Sequence, residues 1–80
     1  MMRTESVQVY PNPVQSELFI EMDNTDMKNI KLFDMRSRQI KCVNSESSIV
    51  RIDLEDVPAG MYVLQIFNRG TIVVKEIVRK

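Results

Sequence analysis

The stretch Gly60-Met61-Tyr62-Val63-Leu64-Gln65-Ile66-Phe67 decides the fold of this chain. Apolar residues recur at every second position from Tyr62 to Ile66, which predicts an inward-facing row of side chains on a β-strand. The opposite parity is also apolar, at Met61, Val63 and Phe67. A strand with two apolar faces is typical of a central strand covered on both sides, so the sequence predicts such a strand here.

A second strand follows directly. A tight turn predicted at Asn68-Arg69-Gly70 leads into an apolar segment that runs to the end of the sequence. Ile72 and Val74 share one parity, whereas Ile77 lies on the other. Two explanations fit this change of parity: a β-bulge near Lys75, or a strand whose beginning is buried on both faces.

The remainder of the chain also consists of short strands and turns. Residues 18–22 and 50–55 alternate between apolar and polar side chains, which predicts half-buried strands. Residues 29–34 and 38–43 predict a hairpin closed by a turn at Met35-Arg36-Ser37. No stretch keeps a helical period. Short strands at this spacing predict a small antiparallel β-sandwich of about seven strands.

The composition is that of one small globular domain. Of the 80 residues, 44% are hydrophobic and 28% are charged, which is apolar enough to fold. Eleven basic residues balance eleven acidic ones, so no net field attracts nucleic acid or an anionic membrane. The sequence has no apolar run long enough for a transmembrane helix, and its start lacks the apolar region of a signal peptide. We therefore expect either a cytoplasmic protein or a part of a longer exported chain.

The side chains that enzymes use most are missing. The chain contains no histidine, which removes the usual general base and the commonest metal ligand. Cys42 is the single cysteine, so no internal disulfide can form. It shares a strand face with Ile40, which predicts a buried structural thiol. Asp53 and Glu55 alternate outward as a solvated strand face. The sequence therefore predicts a domain that is not an enzyme and uses no cofactor.

One predicted turn carries several oxygen ligands. Asp23, Asn24 and Asp26 lie close together in sequence and could bind calcium. The segment lacks the alternating ligands, the glycine and the distal glutamate of an EF-hand loop. We therefore interpret it as the polar tip of a hairpin and expect no metal there.

Two blocks of sequence carry a resemblance to a known family. The first is Val9-Tyr10-Pro11-Asn12-Pro13, whose prolines fix φ and remove hydrogen-bond donors, so the preceding strand must end and turn. The second comprises residues 52–66 and 75–80, in which Gly60 precedes Tyr62 and a lysine-bearing strand closes the sequence. In this order the blocks closely resemble the carboxy-terminal sorting domains (type A) of the Bacteroidetes type IX secretion system.

One position departs from the pattern of that family. The family usually shows an aspartate followed, three residues later, by a glycine, whereas here Asp34 is followed by Ser37. A residue other than glycine in a left-handed turn position costs about 1 kcal/mol. We therefore expect a turn of another type between these two strands.

The resemblance implies a non-catalytic export address attached to a cargo protein. Residues 7–80 would form an immunoglobulin-like sandwich without a disulfide, behind a linker or added start at residues 1–6. The precursor would pass through the periplasm, and the outer-membrane translocon would recognise this domain. A sortase-like peptidase would then cleave upstream of Val7, leaving the cargo anchored at the cell surface or released. The isolated domain would be a monomer or a weak dimer.

A different class of function is a surface binding or adhesion module with an immunoglobulin-like fold and no sorting role. Such a module is expected to expose an aromatic patch.

The resemblance implies translocon recognition at the final strand, through Lys75, Ile77, Val78, Arg79 and Lys80. The carboxylate at the end of this strand is flanked by cations and can be bound by backbone donors of a partner. The strand itself can also be bound by addition to a partner sheet. The alternative is that the apolar pair belongs to the core and the basic residues keep an edge strand soluble. Gly60, which suits positive φ or a close approach, would support the strand together with Tyr62. We interpret Tyr10, Pro11, Asn12 and Pro13 as structural.

Overall fold

The computed structural model describes residues 7–80, which form seven β-strands. The strands are β1 (Val7–Tyr10), β2 (Glu17–Met22), β3 (Lys28–Asp34), β4 (Gln39–Ser45), β5 (Ile49–Asp53), β6 (Gly60–Asn68) and β7 (Thr71–Arg79). No helix occurs in this part of the chain. The predicted all-β fold of about seven strands is confirmed. The predicted linker or added start at residues 1–6 lies outside the described residues.

The strands form two antiparallel sheets. One has the order β1-β2-β5 and the other the order β4-β3-β6-β7. This distribution of the strands between two sheets is that of an immunoglobulin-like sandwich. The four-stranded sheet is the larger of the two, and β7 lies at its edge.

The core lies between the two sheets and is built from alternate residues of each strand. On β6 the predicted inward row, Tyr62, Leu64 and Ile66, is buried. Leu18 and Ile20 of β2 are fully buried opposite that row. The other buried apolar residues are Val14, Met22, Ile30, Leu32, Val50, Ile52, Leu54, Val57 and Ile77. Burial of this single cluster supplies the main favourable free energy of folding.

The prediction that β6 is covered on both faces is wrong. Met61 and Phe67 are 48% and 45% exposed, and Val63 is half-buried. Only one face of the four-stranded sheet meets the second sheet, so the outer parity of β6 stays in contact with water. The central position of β6, between β3 and β7, is as predicted.

Both explanations offered for β7 are wrong. Its register with β6 is continuous from Asn68↔Thr71 to Gly60↔Arg79, with no bulge. Ile72 and Val74 are 55% and 58% exposed, so the beginning of the strand is not buried on both faces. Its inward parity contains the buried Ile77, whereas Ile72 and Val74 face outward. The apolar residues of β7 change parity because Ile72 and Val74 form an apolar outer face, whereas Ile77 belongs to the core.

The thiol of Cys42 is exposed, which corrects the prediction that it is buried. Cys42 does share a face with Ile40, but that face is the outer one, and Ile40 is itself exposed. The inward parity of β4 is the one of Val43, which pairs with Ile30 and packs against the core.

The turn between β3 and β4 keeps a left-handed residue although the sequence has no glycine there. Ser37 has φ of 66°, so the expectation of another turn type is wrong. Asp34 stabilises the turn by accepting hydrogen bonds from the backbone N–H groups of Arg36 and Arg38, each 2.9 Å long. These bonds and the Arg38 guanidinium lower the pKa of the Asp34 carboxyl, the backbone bond from Arg38 being the largest cause.

Gly60 and Tyr62 form the corner that leads into β6. The Tyr62 hydroxyl donates a hydrogen bond of 2.5 Å to the carbonyl of Pro58, four residues upstream. This is the tyrosine corner known from immunoglobulin-like sandwiches. Gly60 has φ of 150°, as predicted from its residue type. A Cβ at this position would lie 3.9 Å from the Tyr62 ring, an ordinary contact, so backbone conformation rather than close approach requires the glycine.

Candidate functional site

The segment after β1 crosses from the small sheet to the edge of the large one. β1 ends at Tyr10, and the peptide bonds before Pro11 and Pro13 are both cis. Val14, the residue that follows, is fully buried in the core and forms a parallel bridge with Arg79 of β7. Residues 11–14 are called the proline latch below.

Asn12 is the centre of the contact between the proline latch and β7. Its side-chain amide donates a hydrogen bond of 3.1 Å to the carbonyl of Glu76. Its side-chain oxygen accepts a bond of 3.0 Å from the N–H of Val78. The Asn12 amide thus bonds to the backbone groups on either side of Ile77, as a residue of a parallel neighbouring strand would.

Val14 continues this pairing along β7. The Val14 N–H donates to the Val78 carbonyl and the Lys80 N–H donates to the Val14 carbonyl, both at 2.8 Å. The outer edge of β7 from Glu76 to Lys80 is therefore occupied by the proline latch. The two blocks that carry the family resemblance lie far apart in sequence and form one continuous surface in the fold.

The five predicted recognition residues are distributed over two faces of β7. Ile77 is 1% exposed and belongs to the core. Arg79 is half-buried, and its Nε donates a hydrogen bond of 3.1 Å to the carbonyl of Leu54. Lys75, Val78 and Lys80 are exposed. Only the last three side chains are therefore available to a partner, whereas Ile77 and Arg79 hold the strand in place.

Tyr10 lies on the outer face of the small sheet beside the start of the proline latch. Its ring stacks on Phe19 with centroids 5.8 Å apart, and the two residues are paired across β1 and β2. Its hydroxyl donates a hydrogen bond of 3.0 Å to Glu21. That hydrogen bond is the largest of the causes that raise the pKa of the Tyr10 phenol.

The loop that was weighed as a calcium site is held by a lysine. Lys28 is completely buried, and its Nζ donates hydrogen bonds of 3.0 and 2.8 Å to the carbonyls of Asn24 and Asp26. Asn68, also buried, accepts a bond of 3.1 Å from the Asn24 side chain. A fixed ammonium group therefore lies where a cation would have to bind. Residues 7–80 contain no cluster of three or more side chains suited to hold a metal.

Sequence reasoning missed three residues that organise these regions. Lys28 and Asn68 are polar residues at inward positions of their strands, and the parity of β3 and β6 is the signal that could have found them. Val14 follows a proline in an irregular segment, so no periodicity marks it as buried. Its role depends on its contact with β7, which the local sequence does not show.

The surface of residues 7–80 has open depressions rather than deep clefts. One of them has a volume of about 390 Å³ and lies beside Phe33, Met35 and Val63 on the outer face of the large sheet. Nothing in it resembles a set of catalytic groups.

Together, the two-sheet fold, the tyrosine corner and the latched terminal strand define the class: a small immunoglobulin-like β-sandwich.

The chain belongs to the family of secretion system C-terminal sorting domains, whose family model matches residues 8–80. This is the sorting domain of the type IX secretion system, and membership implies an origin in the Bacteroidetes. The family resemblance inferred from the two sequence blocks is thus confirmed. A comparison with curated proteins gave no match.

Family membership fixes the general role of the domain. It implies interaction with the type IX secretion machinery and export to the cell surface or secretion. No helix within residues 7–80 is long and apolar enough to cross a membrane.

Proposed function

We propose that residues 7–80 are a non-catalytic address that the type IX outer-membrane translocon recognises at the latched end of β7. The observation that carries this proposal is the pair of hydrogen bonds that the Asn12 side chain makes with β7, donating to the Glu76 carbonyl and accepting from the Val78 N–H. They join the two family-specific blocks into one rigid surface. A recognition surface built from fixed elements loses less conformational entropy on binding than a mobile tail does.

The chemistry of this surface favours recognition through side chains. The Glu76 carbonyl, both backbone groups of Val78 and the Lys80 N–H would pair with a partner strand, and all of them already bond to the proline latch. Strand addition at this end would first have to displace the latch. Val78 and Lys80 share the outer parity of β7, whereas the exposed Lys75 lies on the other parity, so the strand offers two cations and an apolar residue over its two faces. An acidic surface with a small apolar contact would complement them.

The finer steps of export belong to this proposal as well. The precursor crosses the periplasm with its cargo upstream of the domain, and a sortase-like peptidase separates the two. The cleavage site is proposed upstream of Val7, within or before residues 1–6, which lie outside the described residues. The cargo is then anchored to the outer membrane surface or released. The domain is a substrate of that peptidase and performs none of the chemistry.

Charge reversal at exposed positions tests the recognition surface without disturbing the core. A reporter fused to residues 1–80 is produced in a type IX-competent bacterium, with Lys75→Glu or Lys80→Glu in the domain. We expect each substitution to reduce the exported fraction of the reporter and to increase the retained fraction. Arg36→Glu is the matched control, since Arg36 is an exposed cation in the distant β3–β4 turn. That variant should be exported normally.

Substitution is preferred to truncation because of Ile77. Deleting the last five residues also removes this core side chain and the partners of the proline latch, so retention could follow from unfolding. Each charge variant is therefore purified and its thermal unfolding compared with the parent. Normal export of both folded lysine variants, or equal loss of export in the Arg36 variant, would contradict recognition at this surface.

A surface binding module is the second candidate, and the stacked pair of Tyr10 and Phe19 favours it. Tyr10 is 39% exposed, and its stacking partner Phe19 lines a surface depression with Pro11 and Pro13. Rings and prolines of this kind are a common platform for sugars and peptides. Glycan binding by the purified domain that is lost in Tyr10→Ala, together with unchanged export of that variant, would support this second role.

A further inference from the structure

The first half of β7 has an unpaired outer edge. In an antiparallel ladder the backbone groups of successive residues point alternately toward each neighbour. Val78 bonds outward to the proline latch. The N–H and C=O groups of Ile72 and Val74 share its parity and point away from β6. No hydrogen bond to these groups occurs within residues 7–80.

The same half of β7 is also apolar on its outer face. The exposed fractions of Ile72 and Val74 are 55% and 58%, and Ile72 pairs with the exposed Phe67 of β6. A flat, apolar strand with open backbone groups is the kind of edge to which another strand adds. The proline latch covers the other half, so the open edge is limited to residues 71–75.

We propose that a second copy of this chain occupies this edge, by antiparallel pairing of β7 with β7 about a two-fold axis at Val73. Ile72 of each copy then lies opposite Val74 of the other, and Thr71 lies opposite Lys75. About four backbone hydrogen bonds form between the outward-facing groups of the two Ile72–Val74 pairs. The two sheets join into one that is continuous across both copies.

Length and charge favour a second copy as the occupant. The open segment is bounded by the Asn68–Thr71 turn at one end and by Asn12 at the other. In this register Glu76 lies opposite Gly70 of the other copy, so the partner strand ends before the space that Asn12 fills. No like charges face each other, since Lys75 meets a threonine. Every exposed aliphatic side chain on the edge meets another aliphatic side chain.

The proposal goes beyond the proposed sorting function and does not depend on it. Pairing uses residues 70–76, which include Lys75 of the proposed recognition surface, whereas Val78 and Lys80 remain exposed beside the proline latch. The small contact predicts weak, concentration-dependent association rather than a permanent dimer.

Sedimentation equilibrium of the full chain under reducing conditions tests the pairing. The average mass of the parent should rise with concentration toward twice that of the monomer. Val74→Pro should abolish this rise, because it removes an outward N–H that β6 does not use and proline is tolerated there on an edge strand. Met61→Lys is the control, since Met61 is exposed on the same face of β6, away from the edge. That variant should associate like the parent.

The pattern of the two variants separates edge pairing from stacking of the apolar outer faces. Stacking would be abolished by Met61→Lys and retained in Val74→Pro, which would overturn the proposal. A parent chain that stays monomeric at every concentration would overturn it as well. The thermal unfolding of each variant shows whether it is folded.

Cross-linking tests the register independently. In the background Cys42→Ser, which removes the exposed thiol, Val73→Cys places the two thiols at a non-hydrogen-bonded pair across the axis. This variant should oxidise to a disulfide-linked dimer several-fold faster than Val74→Cys in the same background. Equal rates would refute the register.

Discussion

Removal of the Asn12 side chain measures how firmly the proline latch is held to β7. Asn12→Ala deletes two hydrogen bonds, to the carbonyl of Glu76 and from the N–H of Val78. A neutral intramolecular hydrogen bond contributes about 0.5–1.5 kcal/mol net. Asn12 is exposed, so water can bond to both backbone groups after the substitution and the lower half of this range applies. We expect a loss of about 1–2 kcal/mol in the free energy of unfolding.

Urea denaturation of parent and variant gives this difference directly, provided that the slope of the transition is unchanged. Native-state hydrogen exchange of the Val78 amide localises it, because the acceptor of that amide is the deleted Asn12 oxygen. Asn44→Ala is the control, since Asn44 is an exposed asparagine on β4 that accepts one side-chain bond, from Asn29. It should cost about 0.5 kcal/mol and leave Val78 protected. Equal losses in the two variants with unchanged exchange at Val78 would refute the latch.

Three further predictions concern β3, β4 and the turn between them. Ser37→Gly should stabilise the domain by about 0.5–1 kcal/mol in urea denaturation, because Ser37 has φ of 66°; destabilisation would show that its conformation carries no cost. The pKa of Asp34 is lowered in the folded state, so its contribution is complete above the unfolded-state pKa and is lost as pH falls through the folded-state pKa. Asp34→Asn should therefore destabilise the domain at neutral pH but not in strong acid, and a carboxyl NMR titration with no lowered pKa would contradict this. Cys42 should react with a thiol reagent in the native protein about as fast as in urea, whereas protection in the native state would show that the thiol is buried.

The strands could be predicted from the sequence because their signal is local. Alternation within residues 18–22 and 50–55 requires only that one side of a strand faces water. The inward row Tyr62, Leu64 and Ile66 was predicted correctly for the same reason. Gly60 was recognisable from its residue type alone, and its φ is positive.

The candidate site was only partly predictable. The residues of the two family blocks were identified, but their contact was not, because Asn12 and its partners Glu76 and Val78 are more than 60 residues apart. The sequence also could not separate Ile77, which is buried, from Val78, which is partly exposed. That difference depends on which face of β7 meets the core.

The sequence by itself determined the strands, their turns and the family of this protein, since each follows from short-range patterns or from a motif. Only the tertiary structure decided which apolar surfaces are covered. Met61, Phe67, Ile72 and Val74 are as apolar as core residues, yet they remain exposed. A sandwich of two sheets covers one face of each sheet, and hydrophobicity alone cannot indicate which face of a doubly apolar strand that will be. The edge of β7 illustrates the same limit, because a segment from the far end of the chain covers one half and leaves the other open.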